Sequence, residues 1–177
     1  MQNSKTEKVL ILGKSGAGKD HLLRGLVKKG LKHIPKYTTR PKRKLEREGV
    51  DYHFISNEQF EKMISNNEII FYQKFNINGE DWYYGFSREF YKETKVMIIT
   101  PAELNQLSEE DIKGTFIVYL DIDMETRRKR ISNRNDNNDS IERRLSADEL
   151  DFSGFKNYDM KITDPDFEAA WVYDMVD

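Results

Sequence analysis

Hydrophobic residues near the start of the chain predict a buried strand followed by an amphipathic helix. The run KVLILG at residues 8–13 is apolar after its first lysine, as expected of a strand covered on both faces. Apolar residues then recur on one helical face, at Leu22, Leu23, Leu26 and Val27. Gly30 follows and marks the predicted end of this helix.

The second half of the chain continues this alternation of strands and helices. Further buried strands are predicted at residues 95–100 and 114–122, and a last strand at 158–163. Helices are expected over about 123–133, from a capping box of Asp139 and Glu142 to Leu150, and from Asp166 onward. Such alternation is typical of an α/β fold with a parallel sheet core.

The stretch from about residue 34 to residue 91 interrupts the alternation. Residues 50–56 predict a strand, and a helix is expected directly after it. Two apolar runs, 69–76 and 81–87, flank the turn-forming pair Asn78-Gly79 and predict a β-hairpin. This hairpin-rich stretch therefore indicates a lobe inserted after the first helix.

The chain of 177 residues is long enough for one domain with a sizeable core. We expect a single domain over residues 1–177. Its core would comprise residues 1–33 and 92–177, and the inserted lobe would comprise about 34–91.

Composition narrows the range of partners and compartments. Net charge is −2 with 34% charged residues, so the charge balance indicates neither nucleic acid nor a membrane as partner. The absence of cysteine excludes disulfides and thiolate metal sites and fits a reducing compartment. No apolar run is long enough to cross a bilayer, and the polar start MQNSKTEK has no apolar signal region. We expect a cytoplasmic protein that is a monomer or a homodimer.

The segment GKSGAGKD at residues 13–20 carries the first candidate chemistry. Gly13, Gly18 and Lys19 match the Gly-x-x-x-x-Gly-Lys pattern of a phosphate-binding loop. Glycine permits backbone angles that turn successive N–H groups toward phosphate oxygens, and the following helix adds its positive end. The alternative is a glycine-rich turn without a ligand; the flanking predicted strand and helix favour the phosphate loop.

Asp20 stands where such loops normally have Ser or Thr. The usual hydroxyl is a neutral ligand of Mg²⁺, and a carboxylate oxygen can also serve this hard cation, directly or through water. Asp20 is therefore a candidate metal ligand. The alternative is a carboxylate that only caps the helix.

Further segments, in the same order along the chain, resemble the guanylate kinase family. They are TTRPKRKLEREGVDYHFIS at 38–56, DWYYGFS at 81–87, KRISNRN at 129–135, IERRLSA at 141–147 and YDMKITDPDF at 158–167. The resemblance implies a P-loop kinase with a parallel sheet core, an inserted acceptor-binding lobe and a small lid at about 133–147. It also implies ATP as phosphoryl donor, Mg²⁺ as cofactor and a nucleoside monophosphate as acceptor.

The resemblance further assigns roles to individual residues. ATP would be bound by Gly13, Ser15, Gly16, Gly18, Lys19 and Asp20. The acceptor's phosphate would be held by Arg40, Arg43, Tyr52 and Tyr84. Lys19, together with the lid residues Arg130, Arg134 and Arg144, would neutralise charge on the transferred phosphoryl group. Guanidinium forks and tyrosine hydroxyls suit phosphate oxygens independently of any family.

Residues 36–47 and the predicted helix at about 123–133 also allow interpretations without a bound substrate. Residues 36–47 could be a solvated basic loop or a nucleic-acid patch, although Glu46 and Glu48 weaken the second possibility. Judged without the resemblance, Arg127 and Arg128 are expected to face solvent on a basic helix.

Positions that recognise guanine in the family carry different chemistry here. Phe71 stands where the family has Glu, and Lys36 where it has Ser. A phenyl ring cannot accept the N–H groups of guanine. Residues 99–101 also lack the family's pair of aspartates. GMP or dGMP is the acceptor that the family implies, and these changes leave the base open.

The sequence leaves two other functions open. Kinases that phosphorylate ribose bisphosphate resemble guanylate kinases and have Gly-Lys-Asp in the loop, as here at 18–20. A non-catalytic guanylate kinase-like binding module is a further possibility. Such modules usually lack an intact phosphate loop, so Gly13, Gly18 and Lys19 argue against it.

Overall fold

The computed structural model of the chain describes residues 6–133 and 141–176, apart from the side chains of Arg143 and Arg144. The strands are β1 (Lys8–Gly13), β2 (Tyr37–Thr38), β3 (His53–Phe54), β4 (Ile69–Ile77), β5 (Glu80–Ser87), β6 (Val96–Ile98), β7 (Thr115–Leu120) and β8 (Met160–Ile162). The helices are α1 (Lys19–Lys28), α2 (Asn57–Ser65), α3 (Arg88–Glu93), α4 (Pro101–Leu104), α5 (Glu109–Ile112), α6 (Met124–Ser132), α7 (Ile141–Asp151) and α8 (Ala169–Val176). Within the described residues, no helix has the length and apolar character needed to cross a bilayer.

The chain folds as two compact units. The first contains Met1–Leu31, Lys95–Pro101 and Lys113–Asp177, and the second contains Lys32–Thr94 and Ala102–Ile112.

A parallel sheet forms the centre of the first unit. Its strand order is β6-β1-β7-β8, and each of these pairings is parallel. β1 is buried along its whole length, which explains its continuous apolar sequence. Leu22 and Leu26 of α1 and Val172 of α8 pack into the same core cluster as β1. The predicted α/β fold with a parallel core is confirmed, and so is the strand at residues 8–13.

A second sheet, with strand order β3-β2-β5-β4, forms the centre of the second unit. β4 and β5 pair antiparallel and are joined at Asn78-Gly79. Both turn residues have positive φ, 53° and 86°, as a tight type I′ hairpin turn requires. The predicted β-hairpin is confirmed.

The two faces of this second sheet have different neighbours. On one face, Phe60 of α2 stacks on Tyr83 with ring centroids 5.0 Å apart. Side chains alternate along a strand, so Tyr84 and Phe86 of β5 point to the opposite face. There Phe86 stacks on Phe71 of β4 at 5.9 Å. Both faces therefore contain buried aromatic residues, and the second also carries Tyr84.

Several predicted boundaries were wrong. The strand expected at 50–56 is reduced to β3, because a turn occupies its first half: the Gly49 backbone N–H donates to the Tyr52 carbonyl over 2.9 Å. The strand expected at 95–100 ends at Ile98, since Pro101 begins α4 and proline suits a first helical turn. The capping box expected at Asp139 lies outside the described residues.

We expect Gly85→Ala to destabilise the second unit. A Cβ at Gly85 would lie 2.6 Å from the Phe60 ring, 2.9 Å from the Phe71 carbonyl oxygen and 2.9 Å from the Tyr72 Cβ. The carbonyl belongs to the paired strand and cannot move away alone, so the free energy of unfolding should fall by about 3 kcal/mol. Urea denaturation followed by tyrosine and tryptophan fluorescence measures this change.

Gly154→Ala is the matched control, because an added Cβ there meets nothing within 4 Å and only its φ of +69° is strained. Gly154→Ala should lower the free energy of unfolding by about 1 kcal/mol. Equal losses for the two variants would show that the close packing at Gly85 is not what stabilises this sheet.

Candidate active site

The loop between β1 and α1 has the backbone shape of an anion-binding site. Gly16 and Gly18 have φ of 76° and 100°, in the left-handed region that favours glycine. Gly18 is the N-cap residue of α1, and no side chain caps this helix start. The positive end of α1 is therefore available to an external anion.

Lys19, the first residue of α1, folds back over this loop. Its Nζ donates to the carbonyl of Gly13 over 2.6 Å and to that of Lys14 over 3.1 Å. These bonds place the ammonium beside the same loop whose glycines have the left-handed conformation. Phosphate oxygens bound at this loop would gain the lysine's charge in addition to backbone N–H groups.

Asp20 is exposed in the first turn of α1. The alternative in which it caps this helix was wrong, since the cap residue is Gly18 and no side chain donates or accepts there. Its carboxylate is free of that role and lies next to Lys19 in the chain.

The loop packs against the first turn of the basic helix α6. A Cβ at Gly16 would lie 2.7 Å from the backbone oxygen of Arg127 in α6, so only glycine fits. Arg130, one turn later, donates from Nη1 to the carbonyls of Gly16 and Ala17 at 3.3 and 3.2 Å. Its Nη2 donates to the Pro165 carbonyl over 2.7 Å. The predicted site residue Arg130 thus lies at the loop and braces its backbone.

A pocket of about 520 Å³ opens beside the start of α1. It is lined by Gly18, His21, Arg130, Pro165, Asp166, Phe167 and Glu168. The His21 ring meets the Phe167 ring edge-on at 5.8 Å. Aromatic and guanidinium faces next to an anion-binding loop suit a nucleotide base joined to phosphates. His21 was not predicted as a site residue, since it belongs to no motif.

Two carboxylates of α7 contact the loop from its other side. Asp148 accepts the Ser15 backbone N–H over 2.8 Å and its hydroxyl over 3.3 Å. Lys14 donates to Glu149 over 2.7 Å, and this hydrogen bond lowers the pKa of Glu149. Ser15, predicted to bind ATP, therefore donates to an internal anion. Neither acidic residue was predicted, because a charged pair on a helix usually faces solvent.

Arg127 belongs to the same network and is buried, with 2% of its side chain exposed. Its Nε donates to the Ile122 carbonyl over 2.9 Å and its Nη2 to Glu149 over 3.1 Å. Nη1 lies 3.9 Å from the Asp148 carboxylate. The solvent-facing position expected for Arg127 was therefore wrong, whereas Arg128 is about half exposed.

In the second unit, Arg40 lies at the centre of a cluster of predicted acceptor residues. Its Nε donates to the Tyr84 hydroxyl over 3.2 Å, and its guanidinium lies 5.5 Å from the Tyr52 ring centroid. Nη1 donates to the Pro41 carbonyl and to Glu46, at 2.8 and 3.0 Å. Nη2 donates to the other Glu46 oxygen over 2.6 Å. The structure thus brings Arg40, Tyr52 and Tyr84 together.

Glu46 occupies the position that an anion would take in this cluster. Its carboxylate receives two parallel bonds from Arg40 and a third from the backbone N–H of Arg43 over 2.8 Å. These hydrogen bonds, that of Arg40 foremost, lower the pKa of Glu46. Arg43 joins the cluster through its backbone, and its side chain is exposed. Phosphate oxygens could accept hydrogen bonds from the same three donors.

The two predicted guanine-reading positions lie together in the second unit. The Lys36 Nζ donates to both carboxylate oxygens of Glu103, at 2.6 and 2.7 Å. The same ammonium lies 5.4 Å from the centroid of the Phe71 ring. Phe71 is 1% exposed and Glu103 also 1%. Glu103 was not among the predicted site residues.

Two further predicted site residues cannot be placed. Arg134 lies outside the described residues, and so does the side chain of Arg144 in α7.

Comparison with known proteins agrees with the resemblance found in the sequence. The model of the family described as guanylate kinase matches residues 5–173. The chain is 31% identical to a guanylate kinase of Nostoc sp., covering 96% of this chain and 88% of that protein. It is also 31% identical to a guanylate kinase of Nitrosomonas europaea, covering 91% and 83%.

A solved structure shows the same fold. The chain superposes on the guanylate kinase of Anaplasma phagocytophilum with a TM-score of 0.65 and 21% identity, covering 97% of this chain and 85% of that one. The family match spans nearly all of the chain, and it includes the phosphate loop and the Arg40 cluster. This protein belongs to the guanylate kinase family.

Proposed function

We propose that this protein transfers the γ-phosphoryl group of ATP to the phosphate of GMP or dGMP. The observation that supports the proposal is the loop between β1 and α1, in which Gly16 and Gly18 have left-handed φ angles and the Lys19 ammonium lies against the loop carbonyls. Family membership supplies the reaction class, because the relatives described above are guanylate kinases. Phosphoryl transfer depends mainly on positioning the substrates and on neutralising their charge. The N–H groups of the loop and the Lys19 ammonium can do both.

The donor is assigned to the first unit. The loop's N–H groups and Lys19 would hold the β- and γ-phosphates, and the pocket beside His21 and Phe167 would take the adenosine. Arg130 would act at the loop, which it already contacts. Arg134 and Arg144 remain proposed lid residues that neutralise the transferred group. A lid at 133–147 and an acceptor lobe at 34–91 would exclude water when substrates bind.

Asp20 is the candidate ligand for Mg²⁺. Magnesium sites in kinases commonly use one or two carboxylates, substrate phosphate oxygens and water. Asp20 is exposed directly after Lys19 and does not cap the helix, so its carboxylate fits that donor set. Mg²⁺ supplies charge neutralisation of the polyphosphate when it is bound.

The acceptor's phosphate is assigned to the Arg40 cluster in the second unit. Glu46 is the internal stand-in for that phosphate, since it takes a bidentate pair of bonds from Arg40 and the Arg43 N–H. Of the five N–H groups of a guanidinium, four are engaged by Tyr84, Pro41 and Glu46. An incoming phosphate would therefore share or displace the carboxylate of Glu46, with Tyr52 and Tyr84 lining the site.

Neither enzymatic nor binding alternatives are favoured by these observations. A ribose bisphosphate kinase would share Gly-Lys-Asp, but the relatives that support the family assignment are nucleotide kinases by name. A binding module without activity would not need the geometry of Lys19 and its glycines.

The assay for this function measures ADP formation with each common ribo- and deoxyribonucleoside monophosphate and with ribose 1,5-bisphosphate. We expect turnover with GMP and dGMP. Lys19→Met should lower kcat by about a hundredfold or more, because it removes a charge that stabilises the transferred group.

Lys28→Met is the matched control, since it removes an exposed lysine from the last turn of the same helix. It should leave kcat unchanged. Turnover only with the sugar phosphate, or an unaffected Lys19→Met enzyme, would contradict the proposal.

A second prediction concerns Glu46 and acid. The pKa of Glu46 is lowered in the folded protein. Its ion pair with Arg40 therefore stabilises the fold fully at pH values above the ordinary pKa of 4.5, and this stabilisation is lost as the pH falls through the lowered pKa. Glu46→Gln should therefore be less stable than the native protein at pH 7, by about 1–2 kcal/mol, and this difference should shrink below pH 4.5.

Denaturant unfolding at pH 7 and at pH 3.5 measures the difference. Glu142→Gln serves as control because its pair with Arg128 is exposed at 68% and 47%, where ion pairs contribute little. The ionic contribution would be ruled out if the native and Glu46→Gln proteins differed in free energy of unfolding by the same amount at both pH values.

A further inference from the structure

A buried guanidinium nitrogen beside the loop between β1 and α1 has no hydrogen-bond partner among the described residues. It is Nη1 of Arg127, whose side chain is 2% exposed. The other two nitrogens of this guanidinium are bonded, Nε to the Ile122 carbonyl over 2.9 Å and Nη2 to Glu149 over 3.1 Å. An unpaired N–H on a buried charged group costs free energy, so its presence needs an explanation.

The carboxylate that lies close to this nitrogen is bonded elsewhere. Oδ2 of Asp148 is 3.9 Å from Nη1 of Arg127, which is too far for a hydrogen bond. The same oxygen accepts the backbone N–H of Ser15 over 2.8 Å, and Oδ1 accepts the Ser15 hydroxyl over 3.3 Å. One carboxylate oxygen therefore lies between two N–H donors and bonds to one of them. A shift of about 1 Å toward Arg127 would exchange the two bonds.

The donor that Asp148 occupies belongs to the candidate ATP-binding loop. Ser15 directly precedes Gly16, which has a φ of 76° and packs against the α6 backbone. The Lys19 ammonium donates to the carbonyl of Lys14, the residue just before Ser15. Asp148 thus places a negative charge against the loop at which polyphosphate is proposed to bind. Carboxylate and phosphate oxygens accept hydrogen bonds from the same kinds of donor, so they compete there.

Arg127 is oriented to receive Asp148. Because a guanidinium is planar and rigid, the bonds at Nε and Nη2 also fix the direction of Nη1. If Asp148 left Ser15 for solvent, its charge would lose a hydrogen bond and Nη1 would stay unpaired. If it moved to Nη1 instead, a charge-assisted bond would replace the one lost, and the buried N–H would be satisfied.

We propose that Asp148 occupies the loop as an internal anion and moves from Ser15 to Nη1 of Arg127 when the phosphates of the donor nucleotide bind. This inference rests on the proposed function, because it concerns the donor site of that reaction. Both are positioning residues. Asp148 competes with the nucleotide for Ser15, and Arg127 lowers the cost of displacing it.

Calorimetric titration with ATP and Mg²⁺ tests the competition. Asp148→Asn keeps the shape of the side chain and removes its charge. The variant should bind ATP about five- to tenfold more tightly than the native protein, which is the difference between a charged and a neutral hydrogen bond. Asp151→Asn is the matched control, because it removes an exposed carboxylate from the last residue of the same helix. It should change the affinity by less than about twofold.

Arg127→Met tests the receiving nitrogen. Without it, a displaced Asp148 has no new partner, so ATP should bind about five- to tenfold more weakly than to the native protein. In the double variant Arg127→Met/Asp148→Asn this weakening should disappear, because no carboxylate is left to displace. If the two residues only stabilised the loop, both single variants would bind ATP more weakly and neither would cancel the other. A melting curve for each variant verifies folding.

The outcomes separate this inference from the proposed function. Tighter binding by Asp148→Asn, together with loss of the Arg127→Met effect in the double variant, supports the exchange. Should Arg127→Met fail to fold, the direction of the change in Asp148→Asn decides alone. Unchanged or weaker binding by Asp148→Asn, or an Arg127→Met effect that persists in the double variant, overturns the exchange.

The proposed function is decided by turnover and not by these affinities. A native protein that binds ATP and phosphorylates no nucleoside monophosphate would contradict the function, while the four affinities would still decide the exchange. A native protein that binds no ATP at millimolar concentration would overturn both.

Discussion

The backbone of residues 13–19 is the constraint on which the rest of this protein depends. Gly16 and Gly18 have left-handed φ angles, and a side chain at Gly16 would collide with the backbone of α6. A loop of this shape directs N–H groups at one point and leaves the start of α1 uncapped. The fixed contact of the loop with α6 also determines where Arg130 lies. The position of Arg130 and the lining of the pocket beside Gly18 both depend on that one turn.

Internal carboxylates lie against both predicted anion sites. Asp148 accepts the N–H of Ser15 at the phosphate loop, and Glu46 accepts the guanidinium of Arg40 in the acceptor cluster. Without an anion, the donors at these two places would be left unsatisfied, which is costly when they are partly buried. Carboxylates relieve that cost and keep the donors oriented. On the proposed function, substrate binding would exchange one anion for another at each site.

The sequence predicted the elements that local rules determine. Strand β1, the Asn78-Gly79 hairpin and the glycine-rich turn between β1 and α1 were predicted correctly, because apolar runs and glycine positions specify them within a few residues. Helix α3 was missed, although Ser87 caps it by accepting the Phe90 N–H, since it is short and follows a strand directly. Glu103, Asp148 and the burial of Arg127 could not be predicted, because each depends on a partner 21 or more residues away in the chain.

Binding of ATP by the native protein and by Gly16→Ala, followed by calorimetry with Mg²⁺ present, tests the central claim most directly. The substitution adds one methyl group and no charge, and the added Cβ would lie 2.7 Å from the Arg127 carbonyl oxygen. We expect the native protein to bind ATP and the folded variant to bind it at least about tenfold more weakly, because displaced N–H groups lose charged hydrogen bonds. Equal affinities, or no binding by the native protein at millimolar ATP, would contradict the account.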